Sequence, residues 1–200
     1  MIDLRPAAAD LAALVQDVPE DALDRPTPVD RPVAALLTHI GGLAVAFTHA
    51  ARKDLGPQTA APPPDVVPQD LAPDWRSVYP ALLTGLGSAW TDPAAWEGTT
   101  QAGGLEMSAP EAGAVALDEL VLHAWDLAVA TGRAHVPDEA SLAVVEQFVA
   151  AIPDDPAARQ GLFGPRLTPA PDATRFERVL AMAGRDPRWT QAAVAVADRT

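Results

Sequence analysis

Glu119 and His123 stand four residues apart in Leu117–Gly132, LDELVLHAWDLAVATG, inside an apolar helical pattern. Four residues is just over one helical turn, an axial rise of about 6 Å, so both side chains leave the same face. Val115, Ala116, Leu120, Leu127 and Ala130 share that face and read as core. An unpaired carboxylate and imidazole aimed into a core would cost several kcal/mol, on the order of a domain's whole margin. A bound metal ion accounts for both residue types at once.

The other histidines of the chain are His39, His49 and His135. His39 lies in an apolar stripe beside Leu36, Ile40 and Leu43, which predicts that it too faces the interior. If the two helices are bundle neighbours, His39, Glu119 and His123 converge. Three nitrogen and oxygen ligands with a fourth position left to water or substrate is the layout of catalytic zinc, and nickel or iron accepts it as well. The competing reading is a buried hydrogen-bonded Glu119–His123 pair with His39 an ordinary core residue. Asp126, three residues after His123, has three open roles: orienting a ligand imidazole, serving as a fourth ligand, or meeting backbone and arginine groups near the helix end. His49 reads as a surface or satellite residue and His135 as solvated. Trp75, Trp90, Trp96, Trp125 and Trp189 read as packing.

Helices must position these residues, and helical periodicity dominates the chain. Leu4, Ala7, Leu11, Leu14, Val15 and Val18 predict a first helix over about residues 3–18. Asp30 and Pro32 supply a start signal for a second, carrying Val33, Leu36, Leu37, Ile40, Leu43, Ala44 and Phe47 to about Lys53, with Gly56 and Pro57 as its end. Residues 54–72 are proline-rich and predict a surface loop. A third helix fits Asp74 to Ala89, and residues 91–107 read as irregular or extended, with Trp96 and Met107 as the ends of a short hairpin. Ser108-Ala-Pro-Glu111 resembles a capping box that opens the fourth helix, closed by Thr131 and Gly132. A fifth fits Asp138 to Ile152 and a sixth Asp172 to Ala183, with Gly184 as its cap. The residues thus predict an all-α bundle in one domain.

Composition bounds the function. A formal charge of −13 leaves no basic stripe to neutralise phosphates, so nucleic acid is not an expected partner. With no cysteine, disulfides and thiolate zinc sites are excluded, and any thiol chemistry needs a thiol from outside. The N-terminus lacks a signal-peptide pattern, and no uninterrupted apolar run of about 18 residues occurs, so the expectation is a cytoplasmic protein with no membrane partner. Neither a phosphate-binding glycine loop nor a G-x-S-x-G elbow is present. A small-molecule substrate is the expected partner, and a homodimer is neither required nor excluded.

Thr27–Gly42, TPVDRPVAALLTHIGG, together with Leu117–Arg133, LDELVLHAWDLAVATGR, resembles the DinB/YfiT-like metalloenzyme superfamily. The closer similarity is to its actinobacterial branch around the N-terminal domain of mycothiol-dependent maleylpyruvate isomerase. The tail Phe163–Trp189 resembles the end of small single-domain, metal-binding members. The resemblance implies a four-helix bundle core over about residues 1–133 with a C-terminal helical extension over about 137–200. It implies a divalent metal, usually zinc, held by His39, Glu119 and His123, and an exogenous low-molecular-weight thiol of the mycothiol type as co-substrate. The chain departs from the family in carrying Val29 and Arg31-Pro32-Val33 where a cysteine and a tryptophan are frequent.

The implied activity is S-transfer to a small electrophile, or its thiol-assisted isomerisation. A free thiol is mostly protonated at neutral pH, with a pKa of ~8.5, and coordination to a divalent cation deprotonates it. Two alternatives use the same residues: a hydrolase working through metal-bound water, and a non-catalytic metal or small-molecule binding protein.

Overall fold

The computed structural model describes residues 1–61 and 71–191. Seven α-helices are found among them: α1 (Arg5–Gln16), α2 (Val33–Arg52), α3 (Trp75–Ala89), α4 (Ala109–Ala130), α5 (Glu139–Ala151), α6 (Pro156–Arg159) and α7 (Arg175–Met182). One antiparallel hairpin, β1 (Thr99–Ala102) and β2 (Leu105–Ser108), precedes α4. The chain is mostly α-helical among the described residues. The main contacts join α1 to α3, α3 to α2, α2 to α4 and α4 back to α1, closing a ring of four helices. Outside this ring α5 covers α4, and α7 packs on α5.

Local chemistry sets the helix ends. Asp30 does not cap α2. It lies in a turn at φ 53°, and the first N–H groups of the helix are satisfied by loop carbonyls instead, Val33 to Arg25 and Ala34 to Leu23. The helix ends at Lys53, as expected, but Lys53 itself in the left-handed conformation provides the stop rather than Gly56, with the Lys53 and Asp54 N–H groups donating to Ala50 and His49. The Ser108 hydroxyl accepts from the Glu111 N–H at α4, which is the serine half of the expected motif. The sixth predicted helix, here α7, begins later than Asp172 because Thr174 and Glu177 form a reciprocal capping box. Short α6, capped by Asp155, was not anticipated.

Residues 91–107 divide in two. Asp92 caps a 3₁₀ turn over Pro93–Trp96, so Trp96 lies outside the hairpin, whereas Met107 pairs with Thr100. The Trp96 indole donates to the Trp90 carbonyl, the Trp90 indole donates to Phe47 in α2, and the Thr100 hydroxyl donates to Ala50. These buried bonds lock the hairpin and the end of α3 onto α2. The loop before α3 docks on the hairpin through the Gly104 N–H, which donates to Thr59; residues 62–70 of the predicted surface loop lie outside the described residues.

Helix α4 is enclosed on nearly every side, with Leu122, Ala124, Trp125 and Ala128 buried as well as the face read from the sequence. Val115, on that face, is only partly buried. Among the described residues α2 is long and apolar enough to cross a membrane by length and composition, and 56% of its apolar window is buried inside the protein. Its place in the ring against α3 and α4 accounts for that apolarity.

The α4 backbone passes close to the tryptophan pair at Gly113, where an added Cβ would lie 2.5 Å from the Trp96 ring and 3.0 Å from Trp90. Both rings are tethered by their indole N–H groups and cannot swing aside freely. Gly113→Val is expected to lower stability by about 1–3 kcal/mol through overpacking, read as a reduced urea midpoint. An unchanged midpoint would show that the tryptophan pair yields.

Candidate metal centre

Packing of α2 against α4 brings His39 opposite the Glu119–His123 pair. Each of the three residues offers a ligand atom, and these atoms lie within 4.8 Å of one another. The two imidazoles meet edge to face, with centroids 5.1 Å apart and planes at 88°. His123 Nε2 lies 2.9 Å from Glu119 Oε2, one turn earlier on α4. His123 Nδ1 lies 3.0 Å from Asp126 Oδ2, one turn later. A single helix therefore holds one imidazole between two carboxylates.

Asp126 has no exposed side-chain surface, and Arg185 answers it from beyond α7. The Arg185 Nε donates to Oδ1 at 3.0 Å and Nη2 donates to Oδ2 at 2.9 Å, a forked, charge-assisted contact. Asp126 thus both orients His123 and receives an arginine, which unites two of the roles left open by the sequence. Its oxygens are committed to these partners.

The electrostatics follow from burial set against pairing. Burial disfavours the His123 imidazolium, but hydrogen bonds to Asp126 and Glu119 outweigh it and raise the ring to about 9. Burial would raise both carboxylates, yet Arg185 holds Asp126 down and His123 holds Glu119 down, so both are ionised. His39 has no such partner, and burial together with the His123 charge depresses it to about 4. Neutral His39 is therefore a lone-pair donor across the whole neutral range. Asp118, beside Glu119, is buried with Oδ1 lacking a partner, and burial pushes its carboxyl well above the usual range, favouring the protonated form.

The donor set fits a divalent transition metal. Imidazole and carboxylate ligands bind zinc at about 2.0–2.2 Å, and tetrahedral donors around such an ion stand roughly 3.3 Å apart. The Glu119–His123 spacing of 2.9 Å is close to that, and the His39 donor lies within 4.8 Å of both partners. Asp126 on the far nitrogen of His123 supplies the carboxylate–histidine support that metal-ligating histidines almost always have. On the inner side, a cavity of about 10 Å³ lined by Leu43, Phe47, Leu83, Leu86, Ala116 and Leu120 abuts Glu119 and His123. It has room for about one water-sized group. Glu119, with 25% of its side chain exposed, faces the open side.

The remaining histidines stay apart. His49 pairs with Asp54 at the end of α2, as its satellite reading anticipated. His135 is half-buried, not solvated, and burial lowers its pKa. Sequence reasoning did not find Arg185 or Asp118. A signal existed, since three carboxylates on one enclosed helix demand a buried cation somewhere in the chain.

The family model described as mycothiol maleylpyruvate isomerase N-terminal domain matches residues 4–128. The chain belongs to this family. No curated protein and no solved structure matches it. The mycothiol maleylpyruvate isomerase N-terminal domain is DinB-like, a class that commonly binds metal, and its matched segment here contains His39, Glu119, His123 and Asp126. Arg185 lies outside it.

The two histidines give the metal-free protein opposite pH slopes. His123 rises from 6.5 to about 9 on folding, so its contribution is complete below about 6.5 and is lost as pH climbs through 9. His39 falls from 6.5 to about 4, so the unfolded chain takes up that proton first and stability declines as pH drops from 6.5. In chelator, urea midpoints are expected to peak near pH ~6.5 and fall on both sides. A flat profile above the peak would contradict the His123 pairing.

Proposed function

We propose that this chain is a divalent-metal-dependent enzyme that uses an exogenous low-molecular-weight thiol of the mycothiol type to modify a small electrophile, by S-transfer or thiol-assisted isomerisation. The observation that carries this reading is the convergence of His39, Glu119 and His123 on adjacent bundle helices in a chain without cysteine. Zinc is the proposed ion. When bound, it lowers the pKa of a thiol held beside it, so that the thiolate, the nucleophilic form, prevails at neutral pH.

The chain's own groups do the rest. His39 and Glu119 offer their donors without a proton to lose, whereas His123 must release the proton on Nε2. Asp126 keeps the proton on Nδ1 and so fixes which nitrogen is free. Glu119 and Asp126 are ionised, and Arg185 together with a divalent ion exceeds their charge by one. That excess would favour an anionic thiolate over a neutral thiol beside the site. Apolar residues of α1, α2, α3 and α4 line the cavity beside Glu119 and His123, and the electrophile would approach past the exposed edge of Glu119. The acidic surface and the depth of the site favour a small molecule over nucleic acid.

Protein purified without a polyhistidine tag is expected to hold about one divalent ion per chain by elemental analysis. His123→Ala is expected to reduce both metal content and thiol conjugation of monobromobimane or chlorinated nitroaromatics to background. Calorimetry in buffers of different ionisation enthalpy is expected to show about one proton released per ion at pH 7, from His123. Turnover that needs no added thiol would replace this reading with a hydrolase; absence of metal at stoichiometric level would remove both.

A further inference from the structure

Arg185 reaches the centre from a part of the chain that the family match does not include, and its placement is over-determined. The last turn of α7 is closed by Gly184 at φ 79°, with the Gly184 N–H donating to Ala181 and the Arg185 N–H donating to Leu180. Only glycine fits at 184, for conformation and for space: an added Cβ would lie 2.6 Å from the Gly164 backbone. Arg159 secures the same region, donating to the carbonyls of Gly164 and Met182. Further on, the Gln191 side chain donates to Pro26, in the loop before α2, and to Ala130 at the end of α4. The segment is thus tied to α4 and to the loop that leads into α2, the two helices that bear candidate ligands. Its guanidinium, 7% exposed, spends its fork on a carboxylate that has no exposed surface.

We infer that Arg185 is a positioning residue of the metal centre: through Asp126 it fixes the imidazole of His123, so that the C-terminal segment Ala183–Gln191 completes a site whose ligands all lie in the bundle. This rests on the proposed metal-dependent reading. The physical argument is rotational. Asp126 by itself could turn about its side-chain bonds and carry the His123 ring with it. Two parallel N–H···O bonds from a backbone-anchored arginine remove that freedom, holding Nε2 toward the meeting point with Glu119 and His39. Removing the arginine would also leave a buried carboxylate uncompensated, which then takes up a proton or turns toward another cation.

The test measures zinc affinity by chelator competition and the visible spectrum of the cobalt-substituted protein, at a temperature where circular dichroism shows every variant folded. Arg185→Met is expected to weaken zinc binding 10–100-fold and to change the cobalt band positions and intensities. Arg185→Lys, which keeps the charge but not the fork, is expected to fall between; it carries the test if the methionine variant does not fold. Arg76→Met is the control, a half-buried arginine that ties α3 to the Val18 carbonyl and Glu20 and touches neither the site residues nor the turn that anchors Arg185. It is expected to lower the urea midpoint while leaving zinc affinity and the cobalt spectrum as in the wild type. Wild-type affinity and spectrum in the Arg185 variants would overturn the inference, as would equal losses in the Arg76 and Arg185 variants. If the wild-type protein itself binds no zinc, the metal-dependent reading has failed and this inference falls with it, an outcome distinct from either of those.

Discussion

An ionised carboxylate in an apolar interior costs several kcal/mol unless a cation or several donors meet it, and α4 places Asp118 and Asp126 in such an interior and Glu119 at its edge. Each finds a different solution. Asp126 takes the fork of Arg185, Glu119 takes the His123 ring and keeps an edge in solvent, and Asp118 is poised to stay protonated. The surrounding architecture follows from these solutions. Helix α2 must lie against α4 to set His39 beside His123, and the segment after α7 must return across α4 to deliver the guanidinium. Had the helix been plainly apolar, neither demand would exist.

The same arrangement separates two kinds of support. The bundle ring supplies donors and an apolar back wall, using helix faces that repeat every turn. The C-terminal segment supplies orientation and charge balance, using a single side chain placed by a helix cap. Donors on rigid helices are positioned well, but a ligand ring can still rotate about its own bonds. A contact to its far nitrogen limits that rotation, and Asp126, three residues on, lies at a helical spacing that reaches it.

How much of this was legible in the sequence depended on distance along the chain. The Glu119–His123 face could be read because helical periodicity makes positions four apart neighbours, and His39 because its flanking leucines and isoleucine fixed its direction. The position of Asp126 was legible but its partner was not, since Arg185 is 59 residues away and follows a glycine cap in a short helix. Trp96 was misplaced for a local reason: Asp92 and Pro93 form a capped turn that interrupts the extended stretch before the strand begins. The enclosure of α4 was underestimated although its composition signalled it, because apolar residues all round a helix mean burial on all sides. Loop carbonyls that cap α2 and the left-handed Lys53 that ends it leave no residue-type signature at all.

The ties that assemble the centre span large separations, 59 residues from Asp126 to Arg185 and 165 from Pro26 to Gln191. Closing such loops costs entropy before any contact repays it, so these are the contacts whose formation that cost opposes most. Glu119, His123 and Asp126 share one helix and are grouped as soon as it winds, whereas His39 and Arg185 arrive only with docking of α2 and of the chain's last described segment. A partly folded chain therefore presents two carboxylates and an imidazole without the geometry to hold an ion firmly. On the proposed metal-dependent reading, loading of the centre would mark that this segment has seated.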